Sequence, residues 1–125
     1  MPFAAPPIGD LRWQPPRPPQ PWSTTRLTTQ LPAPCPQQTE GDDFLGTEDC
    51  LYLNVWTPAN ARNRPVLFFL HGGANVQGST SVQAAGKYLY DGSGLAGEHN
   101  VVVVTVQYRL GALGFLAHPA LAPGR

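Results

Sequence analysis

Three stretches of the chain alternate or cluster their hydrophobic positions in the manner of strands. In "CLYLNVW" (50–56), Leu51, Leu53 and Val55 interleave with Tyr52, Asn54 and Trp56. That period of two predicts a strand with at least one face in a core. "VLFFL" (66–70) has no polar position, the pattern of a strand covered on both faces. "VVVVTVQY" (101–108) is the strongest strand signal of the chain, since β-branched side chains fit a pleated surface. Turn-rich "TPANARNRP" joins the first two. Residues 72–97 are glycine-rich and mixed, with room for short helical turns at Lys87–Tyr90 and Leu95–His99. "RLGALGFLAHPALAPGR" reads as a loop, and there are no internal repeats.

Two apolar strands with 30 residues between them predict parallel neighbours joined by a crossover. The expected fold class is therefore α/β. Three strands make a thin sheet, and an edge as apolar as "VVVVTV" invites aggregation. The pattern reads as part of a larger sheet, truncated at both ends.

Composition narrows the partners. The 125 residues amount to one domain's worth of chain. Eight basic and eight acidic residues leave no net charge and no dense run of one sign, which argues against nucleic acid as a partner. The longest apolar run is too short for a membrane span. "MPFAAPPIGD" has neither a basic nor an apolar leader region, so no signal peptide is predicted.

Eleven of the fifteen prolines fall in the first 36 residues, which include "PP" three times. Such density forbids helix and leaves an extended segment. A disordered linker or a ligand for an SH3-type domain fits the composition equally well. Trp13, Trp22, Leu11, Leu27 and Leu31 favour instead an irregular wrap lying on a folded body. Residues 37–49, with five of the eight acidic residues, read as a surface loop.

The chemistry concentrates in "PVLFFLHGGANVQGS". A loop after a buried parallel strand sits where open α/β folds place their ligands. Adjacent glycines let backbone N–H groups face one point, a nest suited to a developing oxyanion. A tight turn without a ligand is an equal alternative. Phosphate-loop spacings are absent, and so is a G-x-S-x-G nucleophile elbow. Ser93 in "YDGSGL" reads as a turn serine.

"FAAPPIGDLRWQPP", "EDCLYLNVWTP", "PVLFFLHGG" and "VVVVTVQYRLGALGFLAHPAL", in that order, resemble the N-terminal part of type B carboxylesterases, the family that includes cholinesterases. The resemblance covers nearly all of 1–125 and implies one such domain, an α/β-hydrolase fold and ester hydrolysis by a Ser–His–Glu/Asp triad. In that family the triad lies further along the chain, so a serine carboxylesterase is implied whose catalytic residues are not in this stretch. The missing C-terminal remainder of the domain is then a partner, and the 125 residues alone are expected to be inactive. The resemblance also makes the proline-rich segment an ordered part of the domain.

Carried over position by position, the resemblance implies Gly73 and Ala74 as oxyanion donors through their N–H groups. Ala74 stands where the family has a third glycine, and Asn75 where an aromatic residue usually follows. His71 and Gly72 support the loop, and His71 is not the catalytic base. His99 and His118 are expected at the surface or in turns. Cys35 and Cys50 match a disulfide of secreted members, the alternative being two free thiols. A bridge implies a secreted or periplasmic protein. Arg12 and Glu48 match an ion pair.

A carboxylic ester as substrate, with no cofactor and no metal, completes this expectation. Two other classes stand beside it. One is a non-catalytic adhesion or binding homologue of the same fold, toward which the alanine at 74 leans. The other is a free-standing proline-rich interaction module, against which the strand pattern of 51–110 argues.

Overall fold

The computed structural model describes residues 1–39, 41 and 43–121. Among the described residues, seven strands run in chain order: β1 (Gln37–Gln38), β2 (Phe44–Leu45), β3 (Leu53–Trp56), β4 (Val66–Leu70), β5 (Gln83–Ala84), β6 (Lys87–Tyr88) and β7 (Val102–Val106). Two short helices accompany them, α1 (Ser93–His99) and α2 (Gly111–Phe115), with 3-10 turns at Gly9–Leu11 and Pro119–Leu121.

The three strands expected from periodicity form the main sheet in the order β3-β7-β4. β7 pairs parallel with β4, Val66 opposite Val102 through Leu70 opposite Val106. The crossover between them contains α1, as parallel neighbours require. β3 lies antiparallel on the other side of β7, Leu53 opposite Val106 and Trp56 opposite Val103. The valine-rich strand is thus the central one, not the edge the sequence threatened. Val103, Thr105 and Val106 are buried there.

Among the described residues β4 stands at one side of this sheet. Its residues Val66, Leu67, Phe68 and Leu70 are exposed, although an all-apolar strand was expected to be covered on both faces. β7 is its one strand neighbour among the described residues. α1 packs on β7, where it buries Ala96.

Other expectations are revised locally. Lys87–Tyr90 is not a helical turn, because Gln83–Ala84 and Lys87–Tyr88 form a small hairpin. Leu95–His99 is helical and continues back to Ser93. The segment after β7 is not all loop, since Gly111–Phe115 makes one helical turn. Residues 37–49 hold the β1-β2 hairpin; of their acidic residues, Glu40 and Asp42 lie outside the described set.

The proline-rich segment is ordered in part. Its first residues dock on the body: Phe3 N–H donates to Leu51 O at 3.0 Å, and Ala4 joins Cys35, Cys50, Leu51 and Leu110 in a small core. The Trp13 indole donates to Ala112 O at 2.9 Å. Further along, Trp22 and Leu27 are exposed, Leu27 by 89%. The wrap therefore lies down at its start and stands away from the body in the twenties.

Candidate functional site

β4 and β7 run parallel, so both release their chains at the same end of the sheet. The pairing of Leu70 with Val106 places His71, one residue beyond, beside the residues that follow β7. The His71 ring stacks on Tyr108 with centroids 4.4 Å apart. The Tyr108 hydroxyl donates to His71 O at 2.7 Å. Further round, Gly111 N–H donates to Asn75 O at 2.7 Å. Two loops at one end of the sheet are thereby tied into one surface.

The loop after His71 folds on itself. Gly73 O accepts from Val76 N–H at 3.0 Å and Gln77 N–H at 3.1 Å. Gly73 has φ 123° and Ala74 φ 54°, followed by Asn75 at φ 62°. Position 73 requires glycine, because a Cβ there would sit 1.8 Å from the backbone oxygen of Gln77. Ala74 occupies the left-handed region, which costs a non-glycine residue about 1–2 kcal/mol. The N–H groups of Gly73 and Ala74 take no part in these turn hydrogen bonds. Neither donates to any acceptor among the described residues.

His71 is buried at the base of this loop. Its Nδ1 lies 2.9 Å from Gly72 O; the acceptor is a carbonyl, so Nδ1 carries the proton. Nε2 has no partner among the described residues, and no serine hydroxyl bonds to it. His99 and His118 are exposed, and the His118 Nδ1 accepts from Ala120 N–H at 3.2 Å. Ser93 opens α1, its N–H bonded to Asp91 Oδ1 at 2.8 Å. Ser79 and Ser81 bond each other at 2.6 Å. No histidine–serine pair of a triad occurs among the described residues, and no group of three or more metal-ligating side chains gathers there.

Cys35 and Cys50 are bonded, with Cα atoms 5.0 Å apart, and both are fully buried. Arg12 and Glu48 make a two-pronged pair, Nε to Oε2 at 2.7 Å and Nη2 to Oε1 at 2.6 Å. The hydrogen bonds from Arg12 hold the Glu48 carboxyl below the usual carboxylate range, and the same bonds raise the Arg12 pKa. This fork ties the start of the proline-rich segment to the disulfide hairpin.

Several residues behind the loop went unnoticed in the sequence. Gln107 is completely buried. Its amide accepts from Thr80 N–H at 3.3 Å and donates to Ala33 O and Ser79 Oγ at 3.2 and 3.1 Å. Asn54 Nδ2 reaches both Thr80 Oγ1 and Thr105 Oγ1 at 3.1 Å. Gln37 bonds the backbone of Gly78 in both directions, donating to its O at 2.9 Å and accepting from its N–H at 2.7 Å. Only Gly78 carried a signal, as one more glycine after "HGGANVQ". A cleft of about 600 Å³ opens elsewhere, between residues 26–33 and β3, and none of 71–78 lines it.

Comparison with known proteins identifies the family and the fold. The model of the carboxylesterase family matches residues 1–124. Fumonisin B1 esterase of Sphingopyxis macrogoltabida is 48% identical over 128 residues, covering 98% of this chain and 23% of that protein. Human cocaine esterase is 46% identical over 133 residues, 94% of this chain and 22% of that protein. Among solved structures, a PNB esterase superposes with a TM-score of 0.83 at 40% identity, over 96% of this chain and 24% of the other. A Geobacillus stearothermophilus carboxylesterase gives 0.78 at 41%, over 93% and 23%. The chain therefore spans less than a quarter of the length of these relatives. Its sheet is part of an α/β-hydrolase fold, and the chain belongs to the carboxylesterase family.

Proposed function

We propose that the whole protein hydrolyses carboxylic esters, with the N–H groups of Gly73 and Ala74 holding the oxyanion of the tetrahedral intermediate. The observation that carries this reading is the pair of adjacent amides at the end of β4, neither engaged by an acceptor among the described residues. Attack of a serine oxygen on the ester carbonyl moves an electron pair onto the carbonyl oxygen. Two preorganised donors stabilise that charge more than they stabilise the ground state. None of the described residues supplies the serine, its histidine or its acid, so the 125 residues by themselves are inactive in this reading. No cofactor enters the reaction. The buried disulfide supports an oxidising compartment, secreted or periplasmic.

The adhesion reading predicts a whole protein without turnover. Hydrolysis of p-nitrophenyl acetate by the whole protein separates the two. The loop itself is tested with Gly73→Ala. Its Cβ would fall 1.8 Å from Gln77 O, so the turn must open and swing one donor away. The expected loss in kcat is about 10²–10³, the cost of one oxyanion donor elsewhere. An active protein whose kcat is indifferent to this change removes the loop from the mechanism.

A further inference from the structure

Among the described residues, the Gln37 side chain joins the disulfide hairpin to the loop. Gln37, two residues after Cys35 and on β1, grips the peptide of Gly78 as a strand neighbour would. Its Oε1 accepts from Gly78 N–H at 2.7 Å, and its Nε2 donates to Gly78 O at 2.9 Å and to Cys35 O at 3.0 Å. Gly78 in turn lies flat against the base of the loop. A Cβ there would be 2.3 Å from Gly72 O and 2.5 Å from His71 Nδ1. Contact therefore runs from the Cys35–Cys50 bridge to Gln37, to Gly78, and to the His71 ring and the Gly72–Gly73 peptide, which carries the Gly73 N–H and adjoins the peptide that carries that of Ala74.

From this geometry we propose that Gln37 is a positioning residue, which sets the direction of the Gly73 and Ala74 N–H groups by clamping Gly78. The inference rests on the oxyanion reading for its kinetic consequence and on the hydrogen bonds alone for its structural one. The loop's inner end is secured by Tyr108 on His71 O and by Gly111 on Asn75 O. At the outer end Gln37 supplies both side-chain hydrogen bonds to the Gly78 backbone. Losing it leaves the core residues in place and frees the loop at that end. A shift on the order of 1 Å in a preorganised donor costs up to about a hundredfold in rate, so a loosened loop lowers kcat without weakening substrate binding.

The test compares Gln37→Met and Gln37→Glu with Gly73→Ala in the whole protein. Methionine keeps the length and removes both bonds, whereas glutamate keeps the acceptor for Gly78 N–H and loses the donor. For p-nitrophenyl acetate, Gln37→Met is expected to lower kcat about ten- to a hundredfold with KM within about twofold. Gln37→Glu is expected to recover part of that loss. Hydrogen exchange should quicken at the amides of 72–78 and stay unchanged along β7. Unchanged exchange at 72–78 in Gln37→Met overturns the proposal, and so does protection lost equally in β7, which marks general destabilisation. Exchange that quickens only at 72–78 supports the clamp even if Gly73→Ala leaves kcat untouched, and in that case it is the oxyanion reading that fails. A kcat that falls in Gly73→Ala and not in Gln37→Met overturns the positioning role and leaves the oxyanion reading standing.

Discussion

Gln107 shows how much a single residue can contribute without any periodic signature. It follows a run of apolar residues, and continuing the strand was all the sequence asked of it. In the fold it is fully buried, and its amide serves the backbone at Ala33 and Thr80 as well as the Ser79 hydroxyl. A buried donor or acceptor left unpaired costs about 1–3 kcal/mol. Gln107→Leu is similar in size and leaves Ala33 O and Thr80 N–H without this partner. The expected loss of stability is about 2–4 kcal/mol, read from the midpoint of urea unfolding with an unchanged slope. A loss below about 0.5 kcal/mol would show that other partners replace the amide.

At the scale of elements, the β1-β2 hairpin is the clearest example of one held by a covalent bond. Each strand has two residues, Gln37–Gln38 and Phe44–Leu45, and Phe44 is exposed. So little apolar burial does not hold a hairpin by itself. The Cys35–Cys50 bridge closes a loop with a sequence separation of 15. Such closure contributes on the order of 3 kcal/mol by restricting the unfolded chain. Replacing both cysteines with serine should lower unfolding free energy by about that amount. Reducing agent should then shift the unfolding midpoint of the unaltered protein and leave that of the double variant unmoved. Periodicity located β3, β4 and β7 because four or five residues of one pattern suffice. It failed for Lys87–Tyr88 and Gly111–Phe115, where one turn of helix and a two-residue strand are too short to show a period.

Across the whole molecule, Arg12 joins residues 36 positions apart, and the pair contributes a pH dependence whose sign follows from Glu48. Its folded-state pKa is lowered, chiefly by the hydrogen bonds from Arg12. Stabilisation from the pair is therefore fully present above the unfolded carboxyl value of about 4.3. It is lost as pH falls through the lower folded value. Glu48→Gln should lower Tm near neutral pH, and the gap between variant and parent should close on acidification below about pH 4. The pair is partly exposed, so added salt should narrow the gap as well. A gap constant across the whole range would separate the two side chains' stabilising roles from their charges.

The three principal strands, the α/β class, the family and the glycine loop at the end of "VLFFL" were all determined by the sequence. Each is a local pattern, in which a few neighbouring residues repeat a period or punctuate it with a turn. The tertiary structure alone decided that, among the described residues, the valine strand lies between the other two and Val66–Leu70 to one side, since strand order depends on pairings that no single strand encodes. It alone brought Tyr108 onto His71, Gln37 onto Gly78 and Gln107 between Ala33 and Thr80. These polar partners stand between 27 and 74 positions apart, and a hydrogen bond across that distance leaves no period in the chain. Only the register of β4 on β7 and the closure of the disulfide hairpin bring them within reach.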